Sequence, residues 1–143
     1  RIYACRYYYD ETHTATWPAQ VVNYTAKTQY IFRINKQVLD VNDDADLNKY
    51  VPKTERPIPF ERMIYIADGL TDVPCMRLVK EYGGKSIAVY SSNTAVAKSL
   101  KDVGRVNYIA KADYSSGSEM EQIVQSILDH MKADEVLKKY EEK

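Results

Sequence analysis

The chain has 143 residues, 45% of them hydrophobic, with 20 Lys plus Arg matched by 20 Asp plus Glu. That length can bury a sizeable core. The balanced charge argues against a basic nucleic-acid surface or an acidic tail, and no apolar run approaches the roughly 20 residues that a membrane-spanning helix needs. Cys5 and Cys75 form neither a disulfide framework nor a zinc spacing, which points to a reduced, cytoplasmic protein whose thiols are packing residues. The first residues, RIYAC, carry no secretory-leader pattern. They open inside an apolar stretch without Met, as expected of a fragment or a processed product.

Residues 2–9 (IYACRYYY) are rich in aromatic and apolar types and read as a strand. A polar turn at 10–14 lets residues 15–17 pair back as a short second strand, ended by Pro18. Asn23 or Thr25 can cap a helix whose apolar stripe is Tyr30, Ile31 and Ile34. Residues 37–59 carry Asp40, Asp43, Asp44 and Asp46, then Pro52, Pro57 and Pro59, and read as a surface excursion with one helical turn near 45–50.

From Arg62 onward the pattern becomes regular. Residues 63–66 form a short buried strand. Val73, Met76, Val79 and Tyr82 recur every three residues on a helix that Gly83-Gly84 terminates. Residues 86–90 (SIAVY) are the next strand, Asn93 caps a helix to about Asp102, and residues 105–109 (RVNYI) are a third strand. Ser118-Glu119-Met120-Glu121 is a capping box. Met120, Ile123, Val124, Ile127, Leu128 and Met131 follow it at amphipathic-helix spacing, and the charged end, 134–143, reads as frayed. Short apolar strands alternating with helices imply crossover connections, hence an α/β fold. The expected fold is a three-layer Rossmann-like core whose mostly parallel sheet is flanked by helices on both faces, with a small β-hairpin beside it.

In such sheets ligands bind beyond the carboxyl ends of the strands. Asp68 and Asp72, in ADGLTD, fall at that edge, with Gly69 between them to turn the chain sharply. Two hard oxygen donors there suit Mg²⁺, which takes octahedral oxygen ligands and keeps several waters. The duller reading makes Asp72 only the cap of the helix opening at Val73-Pro74 and Asp68 only a turn residue. The spacing leaves both open.

The stretch IADGLTDVPCMRLVKEYGGKSIAVY resembles the fourth motif of the haloacid-dehalogenase-like hydrolases: apolar strand, Gly-Asp-Gly-x-x-Asp, then a helix. Upstream, IYACRYYYDETHTATW is similar to the strand and hairpin before the motif III lysine in the phosphoserine-phosphatase-like branch, and NYTAKTQYIFRINK sets Lys27 at a helix start, where that lysine belongs. The resemblance implies that Asp68 ligates Mg²⁺, that Asp72 orients the metal waters or the lysine, and that Lys27 neutralises phosphoryl charge. The implied reaction is hydrolysis of a small phosphomonoester through an aspartyl-phosphate.

Two departures qualify it. Ala67 stands where the family has glycine. The family's nucleophile, in Asp-x-Asp-x-(Thr/Val) far upstream of the lysine, has no counterpart. The Asp-x-Asp at Asp44-Ala45-Asp46 falls between Lys27 and Asp68, the wrong order. The expected core is therefore incomplete on its N-terminal side, inactive alone, and in need of an upstream segment or a second copy along the strand 63–66. The whole chain, 1–143, reads as the C-terminal part of one such core. The rival expectation is a non-catalytic binding or assembly module. His13 and His130 read as surface residues, Asp10 as a hairpin-turn residue, and Tyr7-Tyr8-Tyr9 as half-buried strand packing.

Overall fold

The computed structural model describes residues 1–141. The chain divides into two compact units, Arg1–Pro59 and Phe60–Lys143, where the sequence reads as part of one domain.

In the first unit, β1 (Arg6–Tyr9) and β2 (Ala15–Gln20) form an antiparallel hairpin. β1 is shorter than the strand expected over 2–9, and β2 runs through Pro18 instead of stopping at it. A two-stranded ribbon explains the second difference. Each strand has one unpaired side, where the missing proline N–H costs nothing. The Asp10 carboxylate organises the turn by accepting from the Thr12 hydroxyl at 2.7 Å and from the Thr12 and Thr14 amides. These bonds hold its pKa below the usual value. Tyr7, Tyr8 and Tyr9 are 59, 64 and 55% exposed, so they are not the half-buried packing expected of them. Cys5 is exposed as well, while Cys75 is buried.

Helix α1 (Lys27–Lys36) follows. Asn23 caps the turn that leads into it, accepting from the Ala26 amide at 3.0 Å. Beside the expected Ile31, α1 buries Arg33 and Asn35. Arg33 is 1% exposed and donates to the Asp40, Val41 and Asp43 carbonyls and to the Asp44 carboxylate, all within 3.0 Å. Asn35 exchanges bonds with Ile58, and Lys36 donates to the Leu47 and Lys49 carbonyls at 2.6 Å. The segment 37–59, with its short helix α2 (Asp44–Asn48), is therefore tied along its length to polar residues of α1.

The second unit carries a three-stranded parallel sheet in the order β3 (Ile64–Ala67), β4 (Lys85–Tyr90), β5 (Tyr108–Lys111). Helices α3 (Val73–Glu81) and α4 (Ala95–Asp102) cover one face, packing Met76, Ala97 and Leu100 onto Ala88 and Val106. Helix α5 (Glu119–Glu141) covers the other, packing Met120 and Ile127 onto Ile87, Val89 and Ala110. This is the expected three-layer α/β arrangement. Among the described residues β3 pairs with β4 alone.

Three boundaries differ from expectation. β5 starts at Tyr108, not 105, because Asn107 spends its side chain on the Ser86 amide (2.8 Å) and Val106 is buried in the α3–α4 core. Half of the capping box forms: Ser118 Oγ accepts from the Glu121 amide, but the Glu121 carboxylate turns to the Gly117 amide. Helix α5 continues to Glu141 through the segment expected to fray, whose last two residues lie outside those described.

The close of α3 is the tightest point of the unit. Gly83, at φ +94, donates to Lys80 O and Gly84 to Val79 O, the paired bonds that end a helix on a left-handed glycine. A Cβ on Gly84 would lie 2.5 Å from Phe60 O and from Val79 Cγ1. Gly84→Ala should therefore destabilise the chain by about 3 kcal/mol. Gly117→Ala, at φ +81 with nothing within 4 Å, should cost only about 1 kcal/mol of backbone strain. Urea unfolding followed by circular dichroism separates the two.

Candidate functional site

Parallel pairing fixes where β3 stops. Ala67 lies opposite Ala88, and the next residue, Asp68, leaves the sheet exposed at its carboxyl edge. The chain then makes one 3-10 turn, Leu70–Asp72, closed by the Asp72 amide on Gly69 O at 3.1 Å, and α3 begins. Asp68 and Asp72 thus bracket one turn at the carboxyl edge. They differ in setting, for Asp68 is exposed and Asp72 is 7% exposed.

Two expectations at this turn are corrected. Gly69 was expected to supply a backbone angle that other residues resist, yet it is extended at φ −110, ψ 154, which any residue adopts. What glycine supplies is room, since a Cβ would meet Asp72 Oδ2 at 3.3 Å. Asp72 stands at the N-cap of α3 but makes no capping hydrogen bond to it. Its Oδ1 instead accepts from the Tyr65 hydroxyl at 2.6 Å.

Tyr65 is the residue that the motif does not announce. Alternation along β3 sends Ile64 towards α5 and Tyr65 towards the α3–α4 core. The phenol therefore lies under the turn that returns Asp72. Burial, and next the hydrogen bond to Asp72, push its pKa well above the usual tyrosine value. Tyr65 is thus a fixed donor that holds one carboxylate oxygen from the core side.

Lys27 is the first residue of α1, at the helix start where the sequence sets it, and belongs to the Arg1–Pro59 unit. Asp44 of the stray Asp-x-Asp is engaged by buried Arg33 at 2.8 Å. His13 is an exposed turn residue, and His130 pairs with Asp134 on α5 at 3.4 Å. Among the described residues no group of three or more His, Cys, Asp or Glu side chains is assembled for a metal, and no helix is long and apolar enough to cross a membrane.

No protein-family model and no solved structure matches the chain. It is similar to an uncharacterized protein of Borreliella burgdorferi (strain ATCC 35210 / DSM 4680 / CIP 102532 / B31), with 36% identity over 102 residues, which is 69% of this chain and 34% of that protein. The chain thus spans about a third of the length of the curated relative that it matches.

The Tyr65–Asp72 bond makes a pH prediction. The folded phenol keeps its proton above the ordinary tyrosine pKa of about 10, whereas the unfolded phenol loses it there. The stabilisation is complete below about pH 10 and declines as pH rises, by at most about 1.4 kcal/mol per pH unit. Tyr65→Phe should cost about 1–2 kcal/mol at neutral pH by removing the donor to a buried carboxylate, and should lack this part of the alkaline decline. Urea midpoints between about pH 7 and 11 for the two chains check both statements.

Proposed function

We propose that the chain is the C-terminal part of a cytoplasmic, Mg²⁺-dependent, haloacid-dehalogenase-like hydrolase acting on a small phosphomonoester. The observation that carries this reading is the Asp68–Asp72 turn. An exposed carboxylate leaves a parallel strand at its carboxyl end, and a second returns one turn later with its inner oxygen already held. This is the strand edge at which such sheets bind ligands.

The donor set fits Mg²⁺ in a water-rich form. Two hard carboxylates suit an ion that keeps most of its own waters, whereas a closed protein cage would need more ligands than this turn offers. Asp68 would bind the ion, and Asp72, fixed by Tyr65, would orient its waters. When bound, the ion would neutralise charge on phosphoryl oxygens. The resemblance implies a phosphoryl-neutralising role for Lys27 in the whole enzyme. The nucleophilic aspartate would come from sequence beyond these 143 residues. Its carboxylate oxygen forms a bond to phosphorus as the ester oxygen leaves, and water then cleaves the aspartyl-phosphate to free phosphate.

A second reading, an α/β binding or assembly module, is favoured by one observation: the Asp44-Ala45-Asp46 pair falls between Lys27 and Asp68, and its Asp44 is engaged by buried Arg33. One experiment separates the two. Mg²⁺ titrated into the 143-residue chain should shift the backbone amide resonances of residues 68–72, weakly but saturably, and Asp68→Asn should remove the shift. The chain alone should hydrolyse no p-nitrophenyl phosphate. Identical spectra with and without Mg²⁺ would overturn the enzyme reading in favour of the module. Mg²⁺-dependent turnover lost in Asp46→Asn would show that the nucleophile had been sought in the wrong place.

A further inference from the structure

We propose that the open edge of β3 is a dimer interface. Two copies of the 143-residue chain pair their β3 strands antiparallel about a twofold axis, in the register that sets Arg62 of each copy opposite Asp68 of its partner. The pairing does not rest on the metal-site reading above.

β3 stands at the edge of its sheet but carries none of the features that guard one. A charge, a proline or a bulge commonly keeps an edge from pairing further. β5, at the opposite edge, carries Lys111. β3 is Ile-Tyr-Ile-Ala, in unbroken register with β4. Both its faces are covered, Ile64 packing against the α5 cluster and Tyr65 and Ala67 against the α3–α4 cluster, as in a strand with neighbours on both sides. Met63 O accepts the Lys85 amide at 3.0 Å, so the odd-numbered residues of β3 turn their backbone groups to β4. The N–H and C=O groups of Ile64 and Ile66 face the open side, and among the described residues they have no partner there.

This edge is complementary to itself. Opposite residues of an antiparallel pair share a face of the sheet, and those whose backbone groups face each other exchange both bonds. Ile64 and Ile66 must therefore meet even-numbered residues, which leaves three registers centred on the strand. Ile64 on Ile64 sets Arg62 against Ile66 of the partner. Ile66 on Ile66 sets Asp68 against Ile64. Ile64 on Ile66 sets Arg62 opposite Asp68 at both ends, and makes four backbone bonds from the two isoleucines alone. It also covers Ile66, which is 39% exposed. Asp68 is exposed, and the Arg62 side chain is half exposed with one nitrogen engaged by Glu135 at 3.3 Å. Opposite charges directly across strands attract, so charge selects this register from the three. A foreign strand would have to bring a base and an acid at this spacing, whereas a second copy carries both.

The test is sedimentation equilibrium of the full 143-residue chain, of its Arg62→Asp and Asp68→Arg variants, and of an equimolar mixture of the two variants. Circular dichroism reports whether each is folded, and the parent measurement requires no variant. The parent should form dimers at about 100 μM, as suits a small interface. Each variant alone sets like charges opposite at both ends and should dimerise about tenfold more weakly or worse. The mixture sets opposite charges at both ends again and should return to within about threefold of the parent. A parent that stays monomeric at about 500 μM would overturn the inference and leave the edge to another strand. Variants that self-associate as tightly as the parent, or a mixture no tighter than its components, would overturn the register and the inference with it.

Discussion

The parallel pairing of β3 with β4 is the constraint from which the second unit follows. Parallel strands need crossovers, so α3 must leave from the end of β3 and return the chain to the start of β4. Register then decides everything at the edge. With Ala67 opposite Ala88, strand geometry ends at Ala67 and Asp68 is the first residue beyond it. Alternation sends Tyr65 to the face that α3 covers, and the shortest route into α3 brings Asp72 back over that face. The 2.6 Å bond between them is thus a product of strand period and turn length together. A slip of one residue in β3 would send Tyr65 to the α5 face and leave the carboxylate without this donor.

The first unit is held by a different economy. A two-stranded hairpin is marginal in water by itself, and this one presents Tyr7, Tyr8, Tyr9 and Trp17 to solvent. Order in the remainder comes from polar residues buried on α1. Arg33 makes four charge-assisted bonds at almost no exposure, three of them to backbone carbonyls of residues 40–43 that no helix or strand would satisfy. One guanidinium therefore does for this loop what a sheet edge would do elsewhere. The same bonds explain why 37–59 folds back as part of the first unit and does not hang from it as a loose excursion.

What was legible in the sequence follows this division. The second unit announces itself through apolar period, glycine stops and capping residues, so β3, α3, β4 and α4 fall within a residue or two of where the pattern sets them. Asp68 and Asp72 were legible because a carboxylate pair at a strand end is a local pattern. Tyr65 was not, since a tyrosine in an apolar run looks like core, and its link to Asp72 exists only once strand alternation and the turn are combined. Arg33 was hidden for a related reason. A charged residue on an amphipathic helix is assigned to solvent by periodicity, and only the loop that wraps it makes burial tolerable. Pro18 misled through its usual meaning as a strand breaker, and Asn107 by standing in the apolar run RVNYI. Each is overridden by something specific, a free ribbon edge in one case and a side-chain bond to Ser86 in the other.

The setting of Asp72 also bears on why a carboxylate stands there at all. Burying an acidic side chain to 7% exposure costs stability unless its bonds compensate. A helix cap would be an ordinary reason to accept that cost, but the side chain makes no capping bond to α3. The Tyr65 hydroxyl would donate equally well to the amide oxygen of an asparagine, a side chain of nearly the same shape that brings no charge out of water. The phenol bond therefore explains where the carboxylate points, although that bond alone does not require a charge. Asp68, one turn away, has the opposite setting, open to solvent at the carboxyl edge of the sheet.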